Sequence, residues 1–397
     1  SGEVYLRGAG DWNLITGAEG AVLTIGASQW VHGRGAIQMD VVNHGTLEAD
    51  INGKELRMEG TLTNTGTAWA GSGGTLKVAE WTVTSGALAT ENAPGGGSLV
   101  FAGGLTNAGA LFLGTGAGNL ELGGAVDLGA GVVATAGRTV KVTGATMVNS
   151  NQVITADGGV VVVENSTING GTLRVSDDAA SLVHFVGDVT LNGVPWVDEG
   201  AGEFQVYNAT TRFLGDYAGQ LPAGYTLVVY SASTHGVVQW TMPAGTFTND
   251  GMIELRHLGF GWVGYPRLHW EGSGELAGSG EVYLSGAGDW NRITGAEGAV
   301  LTIGASQWVH GRGAIELDVA NQGTLEADVS GKELRVSGSL TNAGTASAAG
   351  GGSLAVTGPA SSSGILVTEI DPGGGNLVFE GGLTNTGTIA PGTGQGL

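Results

Sequence analysis

A chain of 397 residues with 77 glycines, 8 prolines and no cysteine has no disulfide framework, thiolate metal site or cysteine nucleophile, and its glycine content argues against ordinary globular domains. The net charge of −21, from 36 Asp and Glu against 15 Lys and Arg, repels phosphate backbones and anionic lipid, so neither nucleic acid nor direct membrane insertion is expected. No stretch approaches the roughly 20 uninterrupted apolar residues of a membrane-spanning helix, yet a hydrophobic fraction of 41% suffices to fill a continuous core.

Ser1 opens directly into patterned sequence, so the expectation is that a signal peptide has been removed or that the chain is a segment of a longer one. The pattern is a phrase of an apolar residue, Thr, Asn, any residue, Gly, then Thr or Ala and a second apolar residue. Its asparagines fall at Asn43, Asn64, Asn107, Asn149, Asn169 and Asn192, with Ser85 and Leu128 in the two skipped places. Successive positions differ by 21, 21, 22, 21, 21, 20 and 23, a period that marks a solenoid.

Within one period, such as LTNTGTAWAGSGGTLKVAEW from Leu62 to Trp81, three β-patterned pieces are separated by Gly-containing corners. Alternation places Leu62, Leu76 and Val78 inward and Thr63, Thr75 and Lys77 outward. Each turn is thus predicted to be a triangle of strands that buries its inner face only by stacking on its neighbours. The fold class is all-β, a parallel β-solenoid of three short strands per rung of about 21 residues, without a helical domain. The phrase supplies a structural column: Asn43 and Gly45, Asn64 and Gly66, Asn107 and Gly109, then Asn321 and Gly323, Asn342 and Gly344, Asn385 and Gly387. Asn beside a corner tolerates left-handed backbone and bonds its own chain or the Asn of the next turn, and Gly is expected for the same backbone reason.

From Val194 to Glu275 the phrase nearly vanishes and aromatic residues gather. Either the turns lengthen and aromatic side chains fill a wider core, or Trp262, Tyr265 and Trp270 form an exposed platform for sugar rings or a neighbouring filament. At Ser279 the sequence begins again: Ser1 to Gly118 aligns without a gap on Ser279 to Gly396, an offset of 279 − 1 = 278 positions. TGAEGAVLTIGASQWVHGRGAI at Thr16 to Ile37 recurs at Thr294 to Ile315, and GAGDWN at Gly8 to Asn13 recurs at Gly286 to Asn291. The expected organisation is therefore 1–278 as one tandem unit, regular over 1–193 and irregular and aromatic-rich over 194–278, with 279–397 a partial second copy.

Candidate chemistry is sparse. Asp177 and Asp178 are adjacent, so a strand would send them to opposite faces and a turn would solvate both. Glu48 and Asp50, repeated as Glu326 and Asp328, share a strand face and suit either a solvated surface or a surface calcium site. Trp30-Val31-His32-Gly33-Arg34-Gly35, repeated at Trp308 to Gly313, reads as a sharp corner or as an interface recurring once per unit. Histidine without an orienting carboxylate and a nucleophile is no mechanism, so no catalytic residue and no cofactor is assigned. A threonine column suited to ice binding, hinted at by Thr46, Thr67 and Thr172, is interrupted by Ala87 and Ala110.

GGLTNTGTIAPGTGQGL at Gly381 to Leu397, together with the repeated phrase, resembles the passenger repeats of bacterial autotransporter adhesins and filamentous-haemagglutinin-like exported proteins. Typical members follow Pro-Gly with Ser-Pro-Gly, where Thr393-Gly394-Gln395 stands here. The resemblance covers most of residues 20–193 and 298–397. It implies a right-handed parallel β-helix, export, display on a bacterial surface and adhesion. The expected function is an extracellular structural fibre, a stiff acidic rod that self-associates end to end or laterally, coats a surface or adheres to cell-surface polysaccharide. The alternative is a carbohydrate-active or carbohydrate-binding β-helix, a polysaccharide lyase or hydrolase or a tailspike-like receptor binder.

Overall fold

In a computed structural model of the chain, the residues described are 2–8, 13–92, 95–129, 131–149, 152–199, 201–214, 220–221, 223–224, 226–231, 237–257, 265–286, 289–369 and 373–390, with backbone alone at 198 and 207–214. Among them every regular element is a β-strand, and the strands stack in parallel as a β-solenoid of about 16 turns. The phrase Leu62 to Trp81 folds as Leu62–Asn64, Thr67–Ala70 and Thr75–Val78. Leu62, Leu76 and Val78 are 1% exposed or less. The local cause is the alternation of side chains along a strand, which gives each strand one apolar face.

Along a column a strand pairs with those one turn before and after it: Leu62 with Val41 and Thr82, Thr67 with Thr46 and Ala87. Backbone donors and acceptors are thereby satisfied along the stacking direction, as burial of the inner face requires. Two compact units result, one of residues 1–184 with 189–203 and the other of 185–188 with 204–397. The start of the repeat at Ser279 lies inside the second, where ladders cross it without interruption: Glu254 pairs with Tyr283 and Leu276 with Ile303.

Most asparagines of the repeated phrase, Asn43, Asn64, Asn107, Asn149, Asn321 and Asn342, are core residues, while Asn169, Asn192 and Asn385 are half-buried. Asn43 and Asn64 are fully buried, and Asn43 Nδ2 donates to Asn64 Oδ1 at 2.7 Å and to the Thr67 carbonyl at 2.9 Å. In the second unit Asn321 Nδ2 donates to Asn342 Oδ1 at 2.8 Å. At the six Asn and Gly pairs of the column neither residue needs left-handed backbone, although the glycine of the Asn169 phrase, Gly171, does, at φ 73°. Ser72 and Asn165 are the described non-glycine residues at positive φ, and Gly45, Gly66, Gly109, Gly323, Gly344 and Gly387 are not among the positive-φ glycines. The glycine is required by close approach: a Cβ on Gly66 would lie 2.2 Å from the Gly45 carbonyl oxygen, and one on Gly344 equally close to that of Gly323. Of the skipped positions, Leu128 pairs with Asn107 as the phrases align it, while two others differ by one. Thr84, not Ser85, pairs with Asn64 and Asn107, and in the second copy Ser362, not Ser363, which stands 363 − 342 = 21 positions after Asn342 where the phrase skips, pairs with Asn342 and Asn385. The hydroxyl decides this, since Thr84 Oγ1 accepts from Asn64 Nδ2 at 3.0 Å inside the core.

In the aromatic-rich segment the turns lengthen. Thr226 pairs with Met252, Met252 with Glu281 and Glu281 with Trp308, so the steps are 252 − 226 = 26, 281 − 252 = 29 and 308 − 281 = 27. The wider cross-section is filled by Trp240, Phe247 and Trp270, none more than 3% exposed, with Trp240 and Phe247 edge to face at 5.9 Å. Interiors pack to crystal-like density, so longer turns need larger side chains.

Candidate functional site

The string WVHGRG and the Glu-x-Asp pair, separate features of the sequence, form one cluster. Trp30 and His32 alternate with Val31 on the strand Gln29–Gly33 and hence share one face. The strand Gly2–Leu6 lies on one side of it, with Glu3 opposite Trp30 and Tyr5 opposite His32, and Thr46–Ala49 on the other, with Glu48 opposite His32. One long turn and one short turn create this alignment. The step from Glu3 to Trp30 is 30 − 3 = 27, and that from Trp30 to Thr46 is 46 − 30 = 16.

His32 is sandwiched. Its ring stacks on Trp30 at 3.8 Å between centroids and on Tyr5 at 4.2 Å, with the planes within 10°. Nδ1 meets Asp50 Oδ2 at 2.8 Å and Nε2 meets Glu3 Oε1 at 2.9 Å, while Trp30 Nε1 donates to Glu48 Oε2 at 2.9 Å. Burial, the largest influence, opposes the imidazolium, but the bonds and charges of Asp50 and Glu3 outweigh it and raise the His32 pKa. Burial raises the pKa of the Glu48 carboxyl, against the donors Trp69 and Trp30.

The second unit reproduces the cluster atom for atom. His310 stacks on Trp308 at 3.8 Å and on Tyr283 at 4.6 Å. Its Nδ1 meets Asp328 and its Nε2 meets Glu281, both at 2.7 Å, and Trp308 Nε1 donates to Glu326 at 3.0 Å. The His310 pKa is raised by the same balance, burial opposing and Asp328 and Glu281 prevailing. One difference is next door: Ser347, whose hydroxyl donates to Glu326 at 3.1 Å, stands where Trp69 faces Glu48.

The glycines of the string shape the exit from this strand. Gly33 and Gly35 have φ of 112° and 129°, and a Cβ on Gly33 would lie 2.3 Å from the Leu6 carbonyl oxygen. The asparagine of GAGDWN holds the corner: Asn13 Nδ2 donates to the Arg34 carbonyl at 3.1 Å and Asn291 Nδ2 to that of Arg312 at 3.2 Å. Residues 9–12 of that motif lie outside the described residues.

Chemically the cluster is a clasp. Both imidazole nitrogens are engaged and both ring faces are covered, so no nitrogen is left to move a proton to or from a substrate. Glu48 and Asp50 are turned onto Trp30 and His32 respectively, and among the described residues no group of three or more His, Asp or Glu is arranged to hold a metal ion. Asp177 and Asp178 are exposed, with Asp178 Oδ1 accepting from the Ala180 N–H at 2.9 Å in a local turn.

Among the described residues, Tyr265 and Trp270 do not form an exposed aromatic face. Trp270 is 1% exposed, on an inward position of Pro266–Trp270. Tyr265 is half-buried beneath the Arg292 guanidinium, 5.2 Å from its ring centroid. Trp262 lies outside the described residues. The threonine column runs Thr46, Thr67, Ala87, Ala110, and Thr172 belongs to a different sheet. Among the described residues, exposed aromatic side chains lie elsewhere, at Tyr5, Trp30, Trp81, Phe112 and Trp308. Compared with known proteins, the chain is matched by no family model, no curated protein and no solved structure.

Proposed function

We propose that this chain is an extracellular structural repeat protein of a bacterial surface, whose tandem units extend a stiff acidic rod for self-association, coating or adhesion, as the passenger-like phrases imply. The observation that carries this reading is the clasp at His32 and again at His310, with the same partners and the same long step before it and short step after it. A unit that reproduces an outward cluster to this detail presents identical surfaces at fixed intervals, which suits a polymer of like contacts. In this reading the chain is not an enzyme; its partners are further copies of itself and cell-surface polysaccharide.

Load along such a rod is borne by interstrand hydrogen bonds, and the clasp ties three successive turns without any disulfide. Negative-stain electron microscopy of the native material tests the proposal. At ~4.8 Å per turn and ~21 residues per turn, filaments should show an axial repeat on the order of 60 Å. Discrete particles of one length at every concentration would reject self-assembly.

A further inference from the structure

At one corner of the second compact unit, the last long turns of the first copy meet the opening turns of the second. Thr226, Met252, Glu281 and Trp308 pair in succession, and the corner that leads into these strands is a groove of about 340 Å³, at the small end of the range for ligand sites. Gly224, Gly251 and Gly280 line it without a side chain at three consecutive turns. Stacking itself requires this at Gly280, where a Cβ would lie 2.3 Å from the Gly251 carbonyl oxygen, so the opening is a fixed product of the fold. The groove belongs to the junction: its residues up to Met252 come from the first copy, and those from Ser279 to Trp308 from the second.

Its chemistry is acidic and aromatic. Asp250 Oδ1 accepts from the Ser279 N–H at 2.8 Å and from the Ser279 hydroxyl at 3.0 Å, and Glu281 Oε1 meets His310 Nε2 at 2.7 Å. Each carboxylate is thus fixed by one oxygen, while Asp250 Oδ2 and Glu281 Oε2 have no hydrogen-bond partner among the described residues. The Trp308 indole, stacked on His310 and 37% exposed, stands at the same groove, and no lysine or arginine lines it. Carboxylate oxygens bind a charged N–H donor more strongly than a neutral one, an exposed indole packs a flat apolar surface and attracts a cation, and the net charge of −21 gathers cations and repels acids. A protonated amine carried on a ring of hydroxyls and C–H groups answers all three.

We propose that this groove is a subsite for a cationic amino sugar, a glucosamine-type unit of a surface polysaccharide, whose ring packs on Trp308 and whose ammonium and hydroxyls donate to Asp250 Oδ2 and Glu281 Oε2. The inference deepens the polysaccharide partnership proposed above and rests on it. His310 offsets part of the Glu281 charge, so Asp250 is the principal partner of the ammonium. A junction between tandem units carries one subsite, so an array of units gives a polymeric glycan several points of attachment at once.

The test titrates the full chain by calorimetry with a trimer of glucosamine and with its N-acetylated counterpart, at about pH 6, where such amines are protonated. The glucosamine trimer should bind at least about tenfold more tightly. Asp250→Asn, which keeps the Oδ1 acceptor for Ser279 and replaces only the spare oxygen, should erase that difference. Trp308→Leu should weaken the glucosamine trimer more than Trp30→Leu, which removes the same clasp contacts in a copy with no unit before it in this chain. Binding of neither trimer, equal binding of both, or a preference that survives Asp250→Asn, as attraction to the net charge alone would, overturns the proposal. Filaments in the microscope without sugar binding would reject this subsite and leave the structural fibre standing, whereas glucosamine binding by particles that never form filaments would do the reverse.

Discussion

Replacing His310 by Leu removes the centre of the second clasp. Two charge-assisted hydrogen bonds are lost, to Asp328 and Glu281, each contributing about 1.5–3 kcal/mol, along with two ring stacks of about 0.5–1.5 kcal/mol each. Leucine restores part of the apolar contact, and the carboxylates left behind are 25% and 32% exposed, so water screens them in part. The net expectation is a loss of about 2–4 kcal/mol, measured by urea unfolding. His32→Leu should cost less, because Glu3 is 57% exposed against 32% for Glu281. The pH dependence has a definite sign. A histidine whose pKa is raised on folding contributes its full stabilisation below its unfolded value, near 6.5, and loses it as pH rises through the folded value. The gap between wild type and His310→Leu should therefore be widest near pH 6 and shrink in alkali. A gap under about 0.5 kcal/mol, or one that widens with pH, would show that the imidazolium does not hold these turns together.

Two further substitutions separate packing from recognition. Asn64→Ala should destabilise by about 1–2 kcal/mol, since it leaves Asn43 Nδ2 without its side-chain acceptor, whereas Asn64→Thr should cost less because Thr84 already occupies the next place in that column; thermal melts rank the two. Trp270→Ala should cost about 3–5 kcal/mol in chemical denaturation through the cavity it leaves. Native gel shifts in acidic polysaccharide should be unchanged for molecules that remain folded, because the ring is internal.

The clasp was half-visible in the sequence. Trp30, His32, Glu48 and Asp50 recur in the second block at the same separation, 48 − 30 = 18 and 326 − 308 = 18, and Glu3 and Tyr5 recur as Glu281 and Tyr283. A uniform rung period does not superpose them, because one of the two turns that meet at His32 is longer than that period and the other shorter. Shared recurrence of residue pairs across the duplication, rather than the rung period, was the usable signal. Trp270 illustrates a different obstacle: a wide core and a sugar platform both call for aromatic side chains, so composition does not separate them.

By itself the sequence determined the all-β solenoid, its spacing and its duplication. Strand alternation is a property of adjacent residues, so Leu62, Leu76 and Val78 could be placed inward without any knowledge of their neighbours in space. Tertiary structure alone decided which turns are long or short, that Thr84 rather than Ser85 continues the asparagine column, that His32 lies between Tyr5 and Trp30, and that pairing fails between Phe112 and Val132. Each of these depends on how successive turns register against one another. Register follows the hydrophobic pattern together with the geometry of the intervening corners, and the corner geometry that lengthens or shortens a turn depends on contacts between turns.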